Sequence, residues 1–187
     1  LPYQGELMFQ LKQYQEEARN QLIDFFQLSR TKNSPSLAFE EITQNNMGIS
    51  IPYRNPKELD NGVPYICFRI PTGGGKTFVA CHTIAVVQKE WLDSDSSVIL
   101  WLAPTTTIVE QTLKALKNDN HFYRQSLNEA LDQVYVWDIE DVLKTGNLVN
   151  QTGTHIIVST IQAFRTKNKK GRRVFSENSH YKNSITN

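Results

Sequence analysis

The sequence predicts an α/β protein: a parallel sheet with helices on both faces. Three observations carry this. Short apolar runs alternate with stretches of helical spacing along the chain. The apolar runs are unbroken rather than alternating, as strands buried on both faces are. One such run leads into three consecutive glycines that open a helix, in "RIPTGGGKTFVA" (69–80).

Each element follows from its residues. "LKQYQEEARNQLIDFFQ" (11–27) places Leu11, Tyr14, Ala18, Leu22, Phe25 and Phe26 at helical spacing. Residues 31–64 carry the breakers "SPS", "RNP" and "DNG" and read as a long loop or insertion with short structure inside it. "YICFRI" (65–70) reads as a buried strand and "TFVACHTIAVVQKEWL" (77–92) as a mostly buried helix. "SVILWLAP" (97–104) is a second strand, ended by proline, and "TTTIVEQTLKALK" (105–117) returns to helical spacing. "QVYVWD" (133–138) and "HIIVST" (155–160) are further strands, with the short helix "IEDVLKTG" between them. Three blocks result: an N-terminal helix over 1–30, an insertion over 31–64, and the α/β part over 65–187. In parallel sheets ligands bind at the carboxyl ends of the strands. The glycine turn, "APT" and "ST" all fall at such ends.

Composition sets limits on function. The chain has 187 residues, 39% hydrophobic and 21% charged, enough for one packed domain. A net charge of +1 gives no global attraction to nucleic acid, so any such binding comes from local patches. Cys67 and Cys81 have neither metal nor redox spacing and are expected to be reduced, buried thiols of a cytoplasmic protein. No apolar run approaches the roughly 18 residues that span a bilayer, and the first residues lack the build of a secretory signal. The first residue is Leu1, so the chain reads as a piece of something longer. Trp91, Trp101 and Trp137 lie in apolar runs and are expected to pack in the core rather than stack on bases.

A strand, a glycine turn, Lys-Thr and a helix make the build of a phosphate loop. Gly73, Gly74 and Gly75 can turn successive N–H groups inward, and the helix N-terminus adds to this anion nest. Thr72 leads into it. Lys76 would place its charge on the β- and γ-phosphates of a nucleotide, and Thr77 its hydroxyl on Mg2+. An ordinary glycine turn is the plain alternative.

The wording "PTGGGKT" (71–77) resembles motif I of the superfamily 2 helicases and translocases, which often carry a non-glycine residue where Ile70 stands. Other segments resemble further motifs of that family, in its order. "LKQYQEEA" (11–18) is similar to the glutamine motif, which implies that Gln15 reads adenine. "LAPTTTIVEQT" (102–112) resembles motif Ia, which implies nucleic-acid backbone contacts from Pro104, Thr105, Thr106 and Gln111. "IIVSTIQAF" (156–164) resembles motif Ib, with Ser159 and Thr160 in the same role. Capping hydroxyls and an amphipathic surface helix are the plain readings of these segments. The resemblance covers about residues 11–165 and is closest to the Res subunits of type III restriction enzymes.

That resemblance implies a RecA-like fold, ATP and Mg2+ as cofactors, duplex DNA as partner, a second motor lobe, and a modification (methyltransferase) subunit beside it. It implies no membrane. The family's motif II, an apolar strand ending Asp-Glu, has no match, so the chain reads as the front part of a motor lobe and is expected to bind nucleotide weakly and without turnover. "FRTKNKKGRRVF" (164–175) is the dense basic run, where Lys169 and Lys170 could neutralise phosphates; a solvated loop is the alternative. Two other functions stay open. A small P-loop kinase or phosphohydrolase would use Asp138 for Mg2+, and a non-enzymatic module would bind nucleotide as a regulator.

Overall fold

The computed structural model describes residues 10–145 and 152–164. They fall into two compact units, one ending at Asp93 and one starting at Ser94.

The first unit is organised by helix α1 (Gln13–Lys32). Leu22, Phe25, Phe26 and Ser29 recur at helical spacing and are buried along one stripe. That stripe gathers Ala38, Phe39 and Ile42 of helix α2 (Pro35–Met47), and Val86 at the end of helix α3 (Lys76–Val86). A π-helical segment, Val87–Leu92, continues α3 and adds Val87 and Trp91 to the same cluster. The Trp91 ring centroid lies 5.7 Å from that of Phe26, so this indole is a packing residue.

Helix α2 lies where breakers suggested a loop. Ser34 is its N-cap, with Oγ accepting the Leu37 N–H at 3.3 Å, and Pro35 is its first residue. Proline at that position starts a helix instead of ending one, because the N–H it lacks would have no partner there. Gly48, with φ 70, closes the helix in the left-handed region.

Residues 65–70 differ from the buried strand expected of them. They form no strand, and the three strands among the described residues pair with one another. Their side chains still alternate: Ile66 and Phe68 pack on the α1 cluster, while Tyr65, Cys67 and Arg69 are exposed. Composition dictates an extended backbone here, but an extended segment becomes a strand only when a neighbour takes its N–H and C=O groups. Cys67 is therefore exposed, against the expectation of a buried thiol.

The second unit is a three-stranded parallel sheet in the order β1 (Ser97–Ala103), β3 (Thr154–Thr160), β2 (Val134–Asp138). Ser97 lies opposite Thr154 and Ala103 opposite Thr160, and Val134 also faces Thr154. Helix α4 (Thr106–Lys117) lies against all three strands, and α5 (Phe122–Ala130) packs on α4. Helix α6 (Ile139–Thr145) lies against β2 and β3, where Val142 packs on Ile157 with Trp137 and Ile139 beside them. The central strand β3 is accordingly buried on both faces. Strand β1 is at the edge of this sheet, and on one face Val98, Leu100 and Leu102 stay 42%, 47% and 43% exposed. Trp137 donates its Nε1–H to His155 Nδ1 at 3.1 Å and stacks on that ring, so its half-buried indole is held by packing and a hydrogen bond.

Three outcomes test this packing. Leu116 on α4 is fully buried, and Leu116→Ala should lower stability by about 2–5 kcal/mol in denaturant unfolding. Burial pushes the Cys81 thiol up from an ordinary 9.0 to about 12. The folded chain then keeps a proton that the unfolded chain loses, so the Cys81 contribution is flat below about pH 9 and falls as pH rises towards 12. Alkylation of the native protein at neutral pH should modify Cys67 quickly and Cys81 only after unfolding; equal rates would contradict the packing of α3.

Candidate phosphate-binding site

The glycine loop is shaped by a turn and a cap. The Gly74 N–H donates to Pro71 O at 3.0 Å, which closes a four-residue turn over Pro71–Gly74. Gly73 sits third in that turn with φ 77, a conformation that glycine adopts at no steric cost. Gly75 is the N-cap of α3, also left-handed with φ 73. Gly74 lies between them, and a Cβ there would meet Ile70 Cγ2 at 2.7 Å and the Pro71 carbonyl at 2.9 Å. The three glycines are thus required for different reasons: backbone conformation at 73, space at 74, and both at 75, where a Cβ would sit 2.6 Å from Gln15 Nε2.

Beyond the cap, α3 presents its first-turn N–H groups at Lys76 and Thr77, where an α-helix has no internal acceptors. The first turn carries no acidic residue to repel an anion. Lys76 folds back, and its Nζ donates to the carbonyls of Ile70 and Pro71, both at 3.0 Å. Thr77 follows as a half-buried residue, and Thr72 is exposed on the turn. The set fits a nucleotide triphosphate: a cradle that side chains would fill, helix N–H groups, one ammonium and one hydroxyl. Among the described residues no group of three His, Cys, Asp or Glu could hold a metal. A magnesium ion bound with the phosphates would take its ligands from their oxygens, with the Thr77 hydroxyl as the protein's contribution.

Gln15 is brought to this loop. It is 4% exposed, and its Nε2 donates to the Gly74 carbonyl at 2.9 Å. Its Oε1 accepts the Lys12 N–H at 2.9 Å and so helps cap α1. One amide hydrogen and one lone pair remain, the complement of an adenine edge. Tyr14 joins it, with its hydroxyl donating to the same Gly74 carbonyl at 2.8 Å. Sequence reasoning assigned Tyr14 to an apolar stripe, yet it is 41% exposed. No local pattern announces a contact with a residue 60 positions away.

The other candidates lie in the second unit. β1 and β3 are neighbours with Ala103 opposite Thr160, so Pro104, Thr105, Thr106 and Thr160 share one end of the sheet. Thr105 Oγ1 accepts the Ile108 N–H at 3.3 Å, and Thr160 Oγ1 accepts the Ala163 N–H at 3.2 Å. Each hydroxyl is then a helix cap that keeps its own proton for another acceptor. Gln111 is exposed on α4. Ser159 is placed differently: it is 1% exposed, inside the sheet, and donates to Thr160 O at 3.4 Å. Asp138 ends β2 with Oδ1 accepting the Glu140 N–H at 2.9 Å, the contact of a cap on α6. Lys169 and Lys170 lie outside the described residues.

The two positive-φ glycines make a paired test. Either Gly73→Ala or Gly75→Ala forces a non-glycine residue into the left-handed region, at about 1–2 kcal/mol each. A Cβ at 73 meets nothing within 4 Å, whereas one at 75 would sit 2.6 Å from Gln15 Nε2. NMR should therefore show the Gln15 side-chain amide displaced in Gly75→Ala and unmoved in Gly73→Ala.

The family model for "Type III restriction enzyme, res subunit" matches residues 8–184. Comparison with curated proteins and with solved structures gives no match. The chain belongs to the res-subunit family, and its α/β fold is that of a superfamily 2 helicase-like ATP-binding domain.

Proposed function

We propose that this member of the res-subunit family is the nucleotide-binding part of an ATP-driven DNA translocase of a type III restriction–modification system. The observation that carries the reading is the glycine loop, set on the N-terminus of α3 with Lys76 beside it and Gln15 against it. Thr72, Gly73, Gly74, Gly75, Lys76 and Thr77 would hold the phosphates, Thr77 also the magnesium ion, and Gln15 the adenine edge. What bound ATP and magnesium supply to such a motor is the free energy of phosphoryl transfer to water. The part this chain plays is binding and orientation. No Asp-Glu pair follows an apolar run in its sequence, so it binds nucleotide and does not turn it over.

Duplex DNA is the proposed partner of the second unit. Thr105, Thr106, Thr160 and Gln111 offer neutral donors, which suit sugar-phosphate oxygens and carry no base preference. Lys169 and Lys170, outside the described residues, would neutralise phosphates. A second motor lobe and a modification (methyltransferase) subunit complete the proposed assembly. Among the described residues no helix is long and apolar enough to cross a membrane.

Titration of the 187-residue chain with a fluorescent ATP analogue and magnesium tests the reading. Saturable binding is expected, weakened about ten- to a hundredfold in Lys76→Ala by loss of charge-assisted bonds to phosphate. Binding indifferent to Lys76 would reject the site. Repeated ATP turnover by the purified chain, abolished in Lys76→Ala, would reject the claim that turnover needs residues this chain lacks.

A further inference from the structure

We infer that Tyr14 is a positioning residue of the phosphate loop, clamping the Gly74 carbonyl so that the Gly75 N–H keeps one direction; the inference rests on the loop being a phosphate site. Burial does not explain where Tyr14 stands, since it is 41% exposed at the start of α1. Its defined partner is the Gly74 carbonyl, at 2.8 Å, and Gln15 Nε2 donates to the same oxygen at 2.9 Å. A carbonyl oxygen has two lone pairs, and both are engaged.

The consequence comes from peptide geometry. The 74–75 peptide is planar and trans, so its N–H points opposite to its C=O. Fixing the oxygen from the α1 side therefore fixes the Gly75 N–H on the other. This peptide turns about Gly74 and Gly75, neither of which has a side chain to resist rotation, so an outside restraint has the most to do here. The neighbouring Ile70 and Pro71 carbonyls are restrained by Lys76 Nζ, at 3.0 Å each. That restraint ends when the ammonium turns to a phosphate. The clamp from α1 does not involve Lys76 and persists through that change. Tyr14 thus preorganises an N–H donor that an anion would otherwise have to order on binding.

Tyr14→Phe removes one hydroxyl and leaves the ring, so the helix and its packing are retained. Wild-type and variant 187-residue chains would be titrated with ATP and with inorganic tripolyphosphate, which has no base. Affinity for both ligands should fall by the same factor, about two- to tenfold for one neutral hydrogen bond. The thermal midpoint should stay unchanged, and the Gly75 amide resonance should move in the ligand-free variant. Unchanged tripolyphosphate affinity, or a loss confined to ATP, would overturn the inference, the latter by making Tyr14 a base contact. A wild-type chain that binds neither ligand would overturn the phosphate-site reading itself, and this inference with it.

Discussion

One helix holds the glycine loop from three directions. The first turn of α1 contacts Gly74 directly, through Tyr14 and Gln15. Its apolar stripe holds Ile66 and Phe68, on the segment that leads into the loop. The same stripe holds Val86, Val87 and Trp91, at the far end of the helix that leads out of it. A run of three glycines has more backbone freedom to lose than any other tripeptide, so its shape must be imposed from outside. Here its flanking segments are fixed by burial of apolar side chains on α1, and its middle peptide by two hydrogen bonds. The polar bonds give direction, and the hydrophobic stripe supplies most of the free energy.

This division explains how the loop can be both ordered and ready for a ligand. Lys76 spends its charge on two neutral carbonyls, Ile70 O and Pro71 O. A phosphate oxygen is the stronger acceptor, because its bond to an ammonium is assisted by charge on both sides. An incoming triphosphate can therefore draw the lysine away at little loss. The two carbonyls that it leaves belong to exposed or half-buried residues and can be taken up by water. Gln15 needs no such exchange. Its two existing bonds orient the amide and leave one donor and one acceptor unused.

Sequence revealed the elements that bury long apolar runs and hid those defined by a partner. β1, β2, β3 and α4 lie within a residue of where composition put them, because each has a face or a core to fill. Helix α2 was obscured by Pro35, which breaks a helix in its interior but starts one after a serine cap. Helix α5 buries only Ser126 and Leu127, too few apolar positions to leave a periodic trace. Residues 65–70 have the composition of a strand, but pairing belongs to the neighbour as much as to the segment. At the site, the glycines, Lys76 and Thr77 were legible because their spacing is itself the mechanism. Tyr14 was not, because an aromatic ring at helical spacing reads as core, and its hydroxyl finds its acceptor 60 residues along the chain.

The strand ends carry a similar lesson about hydroxyls. Ser159 and Thr160 are consecutive, and side chains alternate across a strand, so the two cannot face the same way. β3 turns Ser159 into the interior and leaves Thr160 at the rim, where it caps the turn Ile161–Phe164. Thr105 does the same for α4 one strand away. A hydroxyl in this position satisfies an orphan N–H of the helix while keeping its own proton free. Structural capping and ligand recognition are then not rival accounts of these threonines, because the two roles use different faces of one oxygen. On the proposed reading, two such hydroxyls at the same end of adjacent strands would suit the repeating acceptors of a sugar-phosphate backbone. For the translocase proposed above, contacts of this kind would serve stepping along any sequence, and the pleat of β3 decides which of its hydroxyls reaches the rim.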